Sequence, residues 1–290
     1  LARKYGHSRR GISQPLILTA RSSFHGRTLA AVTATGQPKY HRGFEPLPEG
    51  FAYFDYNDIS SLEAALQQHS DRAVAVLLEP LQGEGGILPG DRAFFARLRQ
   101  LCDESQLLLI SDEVQVGMGR SGTLWGYQQL GIEPDAFTTA KGLGGGFPVG
   151  ACLANEKGSA AMVAGTHGST FGGNPMAMAA ANAVLDVVIE DGFLDHVVTM
   201  GEVLQKGLED VAAKHGDKLG EVRGQGLLKG IEITQSIVNG DVVKGCEAAG
   251  LLTVVAGGNV VRFIPPLIVE ESHIADAVGI FDQVIAGMDA

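Results

Sequence analysis

The stretch AVAVLLEPLQGEGGILPGDRAFFARLRQLCDESQLLLISDEVQ, residues 73–115, sets two apolar runs on either side of one amphipathic segment. AVAVLLEP, from Ala73, is apolar, partly β-branched and closed by Pro80, which predicts a strand covered on both faces. Asp91 is placed to cap a helix in which Phe94, Phe95, Leu98, Leu101 and Cys102 recur on one face. LLLIS, from Leu107, reads as a second buried strand, so the segment is a β-α-β unit with a right-handed crossover.

The pattern continues in both directions. AFTTA from Ala136 and VGACLA from Val149 extend the strand series, and strands alternating with helices imply an α/β sheet that is mostly parallel. Asn174, with Pro175 at the first helical position, opens a helix through MAMAAANAVLDVVIED that Gly192 is expected to end. A second helix carries Val197, Leu204, Leu208 and Val211, followed by the strand-like GLLKGIEI, LLTVV and VVRFIPP and a closing helix through Ala275, Ile280 and Val284. The expected organisation is a large α/β domain over 1–190 and a smaller α+β domain over 191–290. At the other end, LARKYG reads as the last turn of a helix stopped by Gly6.

Composition excludes several classes. The 290 residues are 45% hydrophobic and 19% charged, the make-up of an ordinary globular chain. A formal net charge of -11 opposes a phosphate backbone, so nucleic acid is not an expected partner. No apolar run approaches the ~18 residues of a membrane span, and PLILTA is too brief for a signal-peptide core. Cys102, Cys152 and Cys246 form no C-x-x-C pair and read as reduced, core-type residues of a cytoplasmic protein. The eight histidines show no metal-ligand spacing. The 40 glycines cluster between Gly83 and Gly86, Gly142 and Gly146, and at Gly172 and Gly173, without a period, which marks loops of close backbone approach.

Two residues stand out by position. Asp112 follows the strand LLLIS and Lys141 follows AFTTA, both at the C-terminal rim where open α/β sheets bind ligands. Lys141 is either a solvated surface charge or, in a tight glycine-lined pocket, an amine made nucleophilic by a depressed pKa. A carboxylate ending an apolar strand needs a partner, and a protonated pyridine nitrogen would be one. Lysine and aspartate so placed suit pyridoxal phosphate: Lys141 as covalent anchor of the aldehyde and as proton-transfer base, Asp112 as the anion that keeps the ring nitrogen protonated. HGSTFGGNP is either a capped loop or a phosphate site offering the Ser169 and Thr170 hydroxyls beside a helix N-terminus. A dinucleotide fold is disfavoured, since GLGGGFPVG does not place its glycines as G-x-G-x-x-G.

Taken together, LLISDEVQVGMGRSG, TTAKGLGGGFPVGA and HGSTFGGNP resemble, in that order, the class III (subgroup II) aminotransferases of fold type I, and SFHGRTLAAVTATGQPKY and LEPLQGEGGI narrow the resemblance to the family's acetylornithine-type members. The resemblance runs over the whole sequence. It implies pyridoxal phosphate held by Lys141 and Asp112, with Val114 packing on the ring, Gln115 approaching its phenolic oxygen and Phe24 stacked on the other face. Glu79 would stand behind these residues. Thr170 would reach the phosphate of a neighbouring subunit, which implies a homodimer with shared sites. Arg262 would bind the substrate α-carboxylate and Glu84 would pair with Arg262. The implied reaction moves the terminal amine of an acylated diamino acid to 2-oxoglutarate, giving glutamate. Succinyl-diaminopimelate, ornithine and 4-aminobutyrate remain alternative donors, and a non-catalytic protein on this fold is the other reading. The family carries a G-[ST/A]-E-A-N-E phosphate loop ahead of the point matching Leu1, so the sequence is expected to begin inside a longer chain, within a helix.

Overall fold

A computed structural model describes residues 1–288. The chain divides into two compact units, one of Leu1–Pro80, Gly90–Gln115 and Tyr127–Asp186, the other of Leu81–Pro89, Val116–Gly126 and Val187–Ala290.

The first unit is built on a six-stranded sheet, ordered β2-β1-β3-β6-β7-β8. Its strands are β1 (Leu16–Ala20), β2 (Phe51–Phe54), β3 (Ala73–Leu78), β6 (Leu108–Asp112), β7 (Ala136–Thr139) and β8 (Ala151–Ala154). All neighbours run parallel except β8, which pairs antiparallel with β7 and is exposed along its length. Cys152 lies on this edge and is exposed, unlike the buried Cys102 and Cys246, which corrects the expectation of three core-type thiols. The central strands are almost wholly buried, which is why their sequences lack polar alternation.

Helix α4 (Arg92–Glu104) joins β3 to β6 as expected. The Asp91 side chain accepts from the Phe94 N–H at 2.8 Å, and Phe94, Phe95, Leu98, Leu101 and Cys102 are its buried face. Each such side chain contributes about 2 kcal/mol on burial, and Leu98→Ala would cost about 3 kcal/mol. The remaining helices of this unit are α1 (Ala2–Arg10), α2 (Leu29–Ala34), α3 (Ile59–Gln68), α5 (Glu156–Ser159) and α6 (Pro175–Val188). Helix α1 runs past Gly6 and ends at Gly11, whose φ of 65° supplies the left-handed cap. Gly6 is therefore not a stop. A Cβ there would lie 2.7 Å from Pro15 and Val74 atoms, so this glycine lets α1 lie close on β3.

The second unit centres on a four-stranded antiparallel sheet, β11-β12-β10-β9, of β9 (Leu219–Gln225), β10 (Leu228–Ile233), β11 (Val254–Ala256) and β12 (Val260–Phe263). Helices α7 (Phe193–Lys214), α8 (Asn239–Ala248) and α9 (Glu271–Ala286) share a core with it that includes Val197, Leu204, Leu208, Ile231, Val261, Phe281 and Ile285. Gly192, expected as the end of α6, is instead the N-cap of α7 at φ 84°, and α6 ends at Val188. The hairpin of β4 (Leu81–Gln82) and β5 (Leu88–Pro89) belongs to this unit because Leu81 and Ile87 pack with Val116, Leu228, Ala256 and Val260. The expected boundary at 190 places Leu81–Pro89 and Val116–Gly126 in the large domain, whereas the fold groups both with the second unit.

Candidate active site

Parallel pairing places the two singled-out residues on adjacent strand ends. Asp112 closes β6 and lies opposite Thr138 of β7, and Lys141 follows β7 by two residues. The chain reaches Lys141 through a left-handed turn, with φ 47° at the lysine itself. That conformation is uncommon for a residue with a side chain and concentrates at functional sites. Of the two settings open to it, a solvated charge or a tight glycine-lined pocket, Lys141 takes the exposed one, and Gly142, Gly145 and Gly146 beside it are exposed too.

Asp112 sits in a dense polar cluster. His25 Nδ1 is 2.7 Å from Asp112 Oδ2, with side-chain exposures of 2% and 8%. The Val114 N–H donates to Oδ1 at 3.1 Å, and the Thr138 hydroxyl makes a longer contact to it at 3.4 Å. Burial lowers the pKa of His25, but the bond and charge of Asp112, with the charge of Glu79, outweigh burial and raise it. The pair therefore favours the protonated form of the imidazole over that of a free histidine. Glu79 Oε1 accepts from the Phe24 N–H at 2.9 Å, so one buried carboxylate fixes the backbone that carries both Phe24 and His25. The Phe24 ring meets Tyr40 edge-on at 5.5 Å, with the Arg27 guanidinium over both rings. Tyr56 donates to the carbonyls of Glu79 and Pro80, and burial with the Glu79 charge pushes its phenol well up, keeping it neutral.

Asp112, Val114, Phe24 and Glu79 are therefore brought together, and Gln115 follows on the same half-buried stretch. His25 is the member that the sequence reading missed. Its signal was present in SFHGRT, but its partner lies 87 positions away. Ser169 and Thr170 stand on an exposed loop before α6, whose N-cap is Asn174, accepting from the Ala177 N–H at 3.0 Å. Glu84 and Arg262 both belong to the second unit, where Arg262 Nη1 is 2.9 Å from Glu84 Oε1 and the arginine side chain is 7% exposed. Arg262 lies on β12 between Gly230 of β10 and Val254 of β11.

The family described as Aminotransferase class-III matches residues 1–285. The chain belongs to this family. Acetylornithine aminotransferases of Thermosynechococcus vestitus and Nostoc are each 52% identical to it across the whole chain, which spans 71% and 69% of their lengths. Among solved structures, the ornithine aminotransferase of Toxoplasma gondii matches with TM-score 0.92 at 31% identity, over 98% of this chain and 68% of that one. The N-acetylornithine aminotransferase of Stenotrophomonas maltophilia matches with TM-score 0.82 at 35% identity, over 98% and 70%. Class III aminotransferases are pyridoxal-phosphate enzymes, and the local chemistry of this member fits that group. The buried His25 Nε2 and Thr139 hydroxyl have no protein partner. Asp112 keeps about one lone-pair site beyond its three donors, and a Cβ on Gly146, Gly168 or Gly173 would meet nothing within 4 Å. Among the described residues no group of three or more His, Cys, Asp or Glu side chains is placed to hold a metal, and no helix is long and apolar enough to cross a membrane.

Proposed function

We propose that this chain transfers the terminal amino group of N2-acetylornithine to 2-oxoglutarate, releasing glutamate and an aldehyde, as a step of arginine biosynthesis. The carrying observation is the buried His25–Asp112 pair at the end of β6, beside the strand that delivers Lys141. The choice of donor is supported by the whole-chain identity to acetylornithine aminotransferases.

Lys141 is the residue that would hold the cofactor covalently, and Asp112 would accept from its ring nitrogen. When bound, pyridoxal phosphate supplies an electron-accepting ring that stabilises the charge left when a proton leaves the donor carbon. Lys141 Nζ, next to the reacting carbon, would be the base that accepts this proton and passes it to the cofactor side rather than back to the donor carbon, as the exchange of amine for carbonyl requires. His25 donates to Asp112 Oδ2, so the carboxylate keeps its charge and its bearing. Phe24 and Val114 would flank the ring as apolar surfaces, Gln115 would be the amide for its phenolic oxygen, and Ser169 would offer a phosphate-binding hydroxyl. Arg262 binds the α-carboxylate of glutamate or 2-oxoglutarate through its planar fork. With the acylated donor, whose terminal amine reacts, Glu84 neutralises that guanidinium instead.

The working form is a homodimer in which Thr170 serves the neighbouring subunit's phosphate. Supporting this, Leu153, Phe171 and Met176 are exposed, Phe171 by 80%, and a second copy would cover them. We place the enzyme in the cytoplasm, where three unpaired thiols stay reduced. The test is a donor panel with 2-oxoglutarate as acceptor, read by glutamate formation. N2-acetylornithine should give the highest kcat/KM, and a higher value for ornithine, succinyl-diaminopimelate or 4-aminobutyrate would reassign the donor.

A further inference from the structure

Arg120 is a half-buried cation that the reaction above does not use. It lies in Val116–Gly126, the segment of the second unit that follows Gln115 in sequence. Burial alone pulls its pKa down to about 10. Its Nη1 donates to the Leu227 carbonyl at 3.0 Å and to the Pro265 carbonyl at 2.5 Å. In return, the Arg120 carbonyl accepts from the Leu227 N–H at 3.0 Å.

Those contacts finish a sheet edge. Strands β10 and β12 pair with Lys229 opposite Phe263 and Gly230 opposite Arg262. The same register carried outward sets Leu227 opposite Pro265. Proline has no N–H to give, so backbone pairing cannot be completed there, and β12 stops at Phe263. One guanidinium nitrogen supplies the donor that both facing carbonyls need, while the main chain of Arg120 takes up the Leu227 N–H. The fit is close on the other side as well: a Cβ on Gly226 would come within 2.5 Å of the Ser121 carbonyl carbon and 2.6 Å of the Arg120 oxygen.

We propose that Arg120 is a positioning residue for Arg262. It clamps the chain three residues beyond Arg262, and so fixes the bearing of the guanidinium that receives a substrate carboxylate. The proposal rests on the reading of Arg262 as that receptor. A bidentate contact is sensitive to small displacements, and β12 without its clamp is free to fray from the Pro265 end.

The test is a double-mutant cycle on the cofactor-loaded enzyme, with single-turnover constants measured separately for glutamate and N2-acetylornithine. Arg120→Met should lower kcat/KM for glutamate about tenfold, mainly through KM, and leave the acetylornithine half-reaction within about twofold. In an Arg262→Ala background the same change should add nothing further, because its effect passes through Arg262. Arg120→Lys, able to reach one carbonyl, should be intermediate. Emission from Trp125, the only tryptophan of the chain and part of the same segment, together with thermal unfolding, reports whether the fold is kept. Should the Met variant not fold, the Lys variant run through the same cycle decides the matter. Equal losses for both donors, or a full loss persisting without Arg262, would overturn the proposal. If Arg262→Ala alone leaves glutamate unaffected, the reading of Arg262 is the part that fails, and the role of Arg120 falls with it.

Discussion

His25 and Asp112, 87 positions apart in sequence, meet through Nδ1 and Oδ2 at 2.7 Å inside the first unit. The contact gives a strand-end carboxylate a buried imidazole partner and, with the Val114 N–H and the Thr138 hydroxyl, leaves about one lone-pair site open.

Replacing His25 by Gln should destabilise the protein by about 3 kcal/mol, the cost of leaving a buried partner unpaired. The effect depends on pH with a definite sign. The folded pKa of His25 is raised above 6.5, so its contribution is complete below about 6.5. It is then lost as pH rises through the raised value. The Tm gap between parent and variant should therefore be widest near pH 6 and should narrow in alkaline buffer. A gap that widens with pH would show that His25 is folded in its neutral form.

Lys141→Ala should remove the visible absorbance of the covalently held cofactor and cut transamination by about a thousandfold or more, since anchor and base disappear together. The exposed turn makes the substitution structurally mild. Unfolding temperature of the cofactor-free protein should stay close to that of the parent.

Asp112→Asn keeps the shape of the site but removes its charge. Cofactor should still bind, while kcat falls about a hundredfold, because a neutral amide cannot keep the ring nitrogen protonated. Stopped-flow traces of the donor half-reaction measure this directly; parent-like rates would refute the role.

Glu84→Ala leaves Arg262 without its 2.9 Å partner. The ratio of kcat/KM for glutamate to that for N2-acetylornithine should rise about tenfold, equivalent to about 1.4 kcal/mol, and Arg262→Ala should move it the other way. Following each half-reaction alone separates the two effects, and an unchanged ratio would show that the pair does not choose between donors.

Thr170 lies on an exposed loop, which suits action across a dimer. Mixing subunits disabled at Thr170 with subunits disabled at Lys141 should restore part of the activity, because some sites then hold both groups intact. Mixed dimers as inactive as their parents would place Thr170 in its own subunit's chemistry.

The β-α-β core was legible because strands covered on both faces must be apolar throughout, and Asp91 marks the start of the intervening helix with its own side chain. Strand β9, LGEVRGQ, escaped because it is buried only at Leu219 and carries glycine and charge elsewhere. Helix α8, with Gly240 and Gly245 among few apolar residues, shows only a weak stripe. Lys141 and Asp112 could be found from their places after apolar runs. His25 and Arg120 could not, since their tasks are defined by carbonyls and carboxylates that only the folded chain brings to them. Cys152 departs from expectation because β8, although apolar, is an exposed edge strand.

The glycine of α1 bears on engineering. A glycine inside a helix is ordinarily a reserve of stability, since alanine in its place gains roughly 1 kcal/mol. At Gly6 that rule reverses, because the new methyl would collide with Pro15 and Val74, and at Gly201 of α7 it would strike the Gly226 backbone at 2.4 Å. Gly240 of α8 and Gly279 of α9 face nothing within 4 Å. A stabilised variant of this enzyme should therefore begin at Gly279, in the interior of α9, and leave Gly6 and Gly201 untouched, although helix propensity alone scores all three alike.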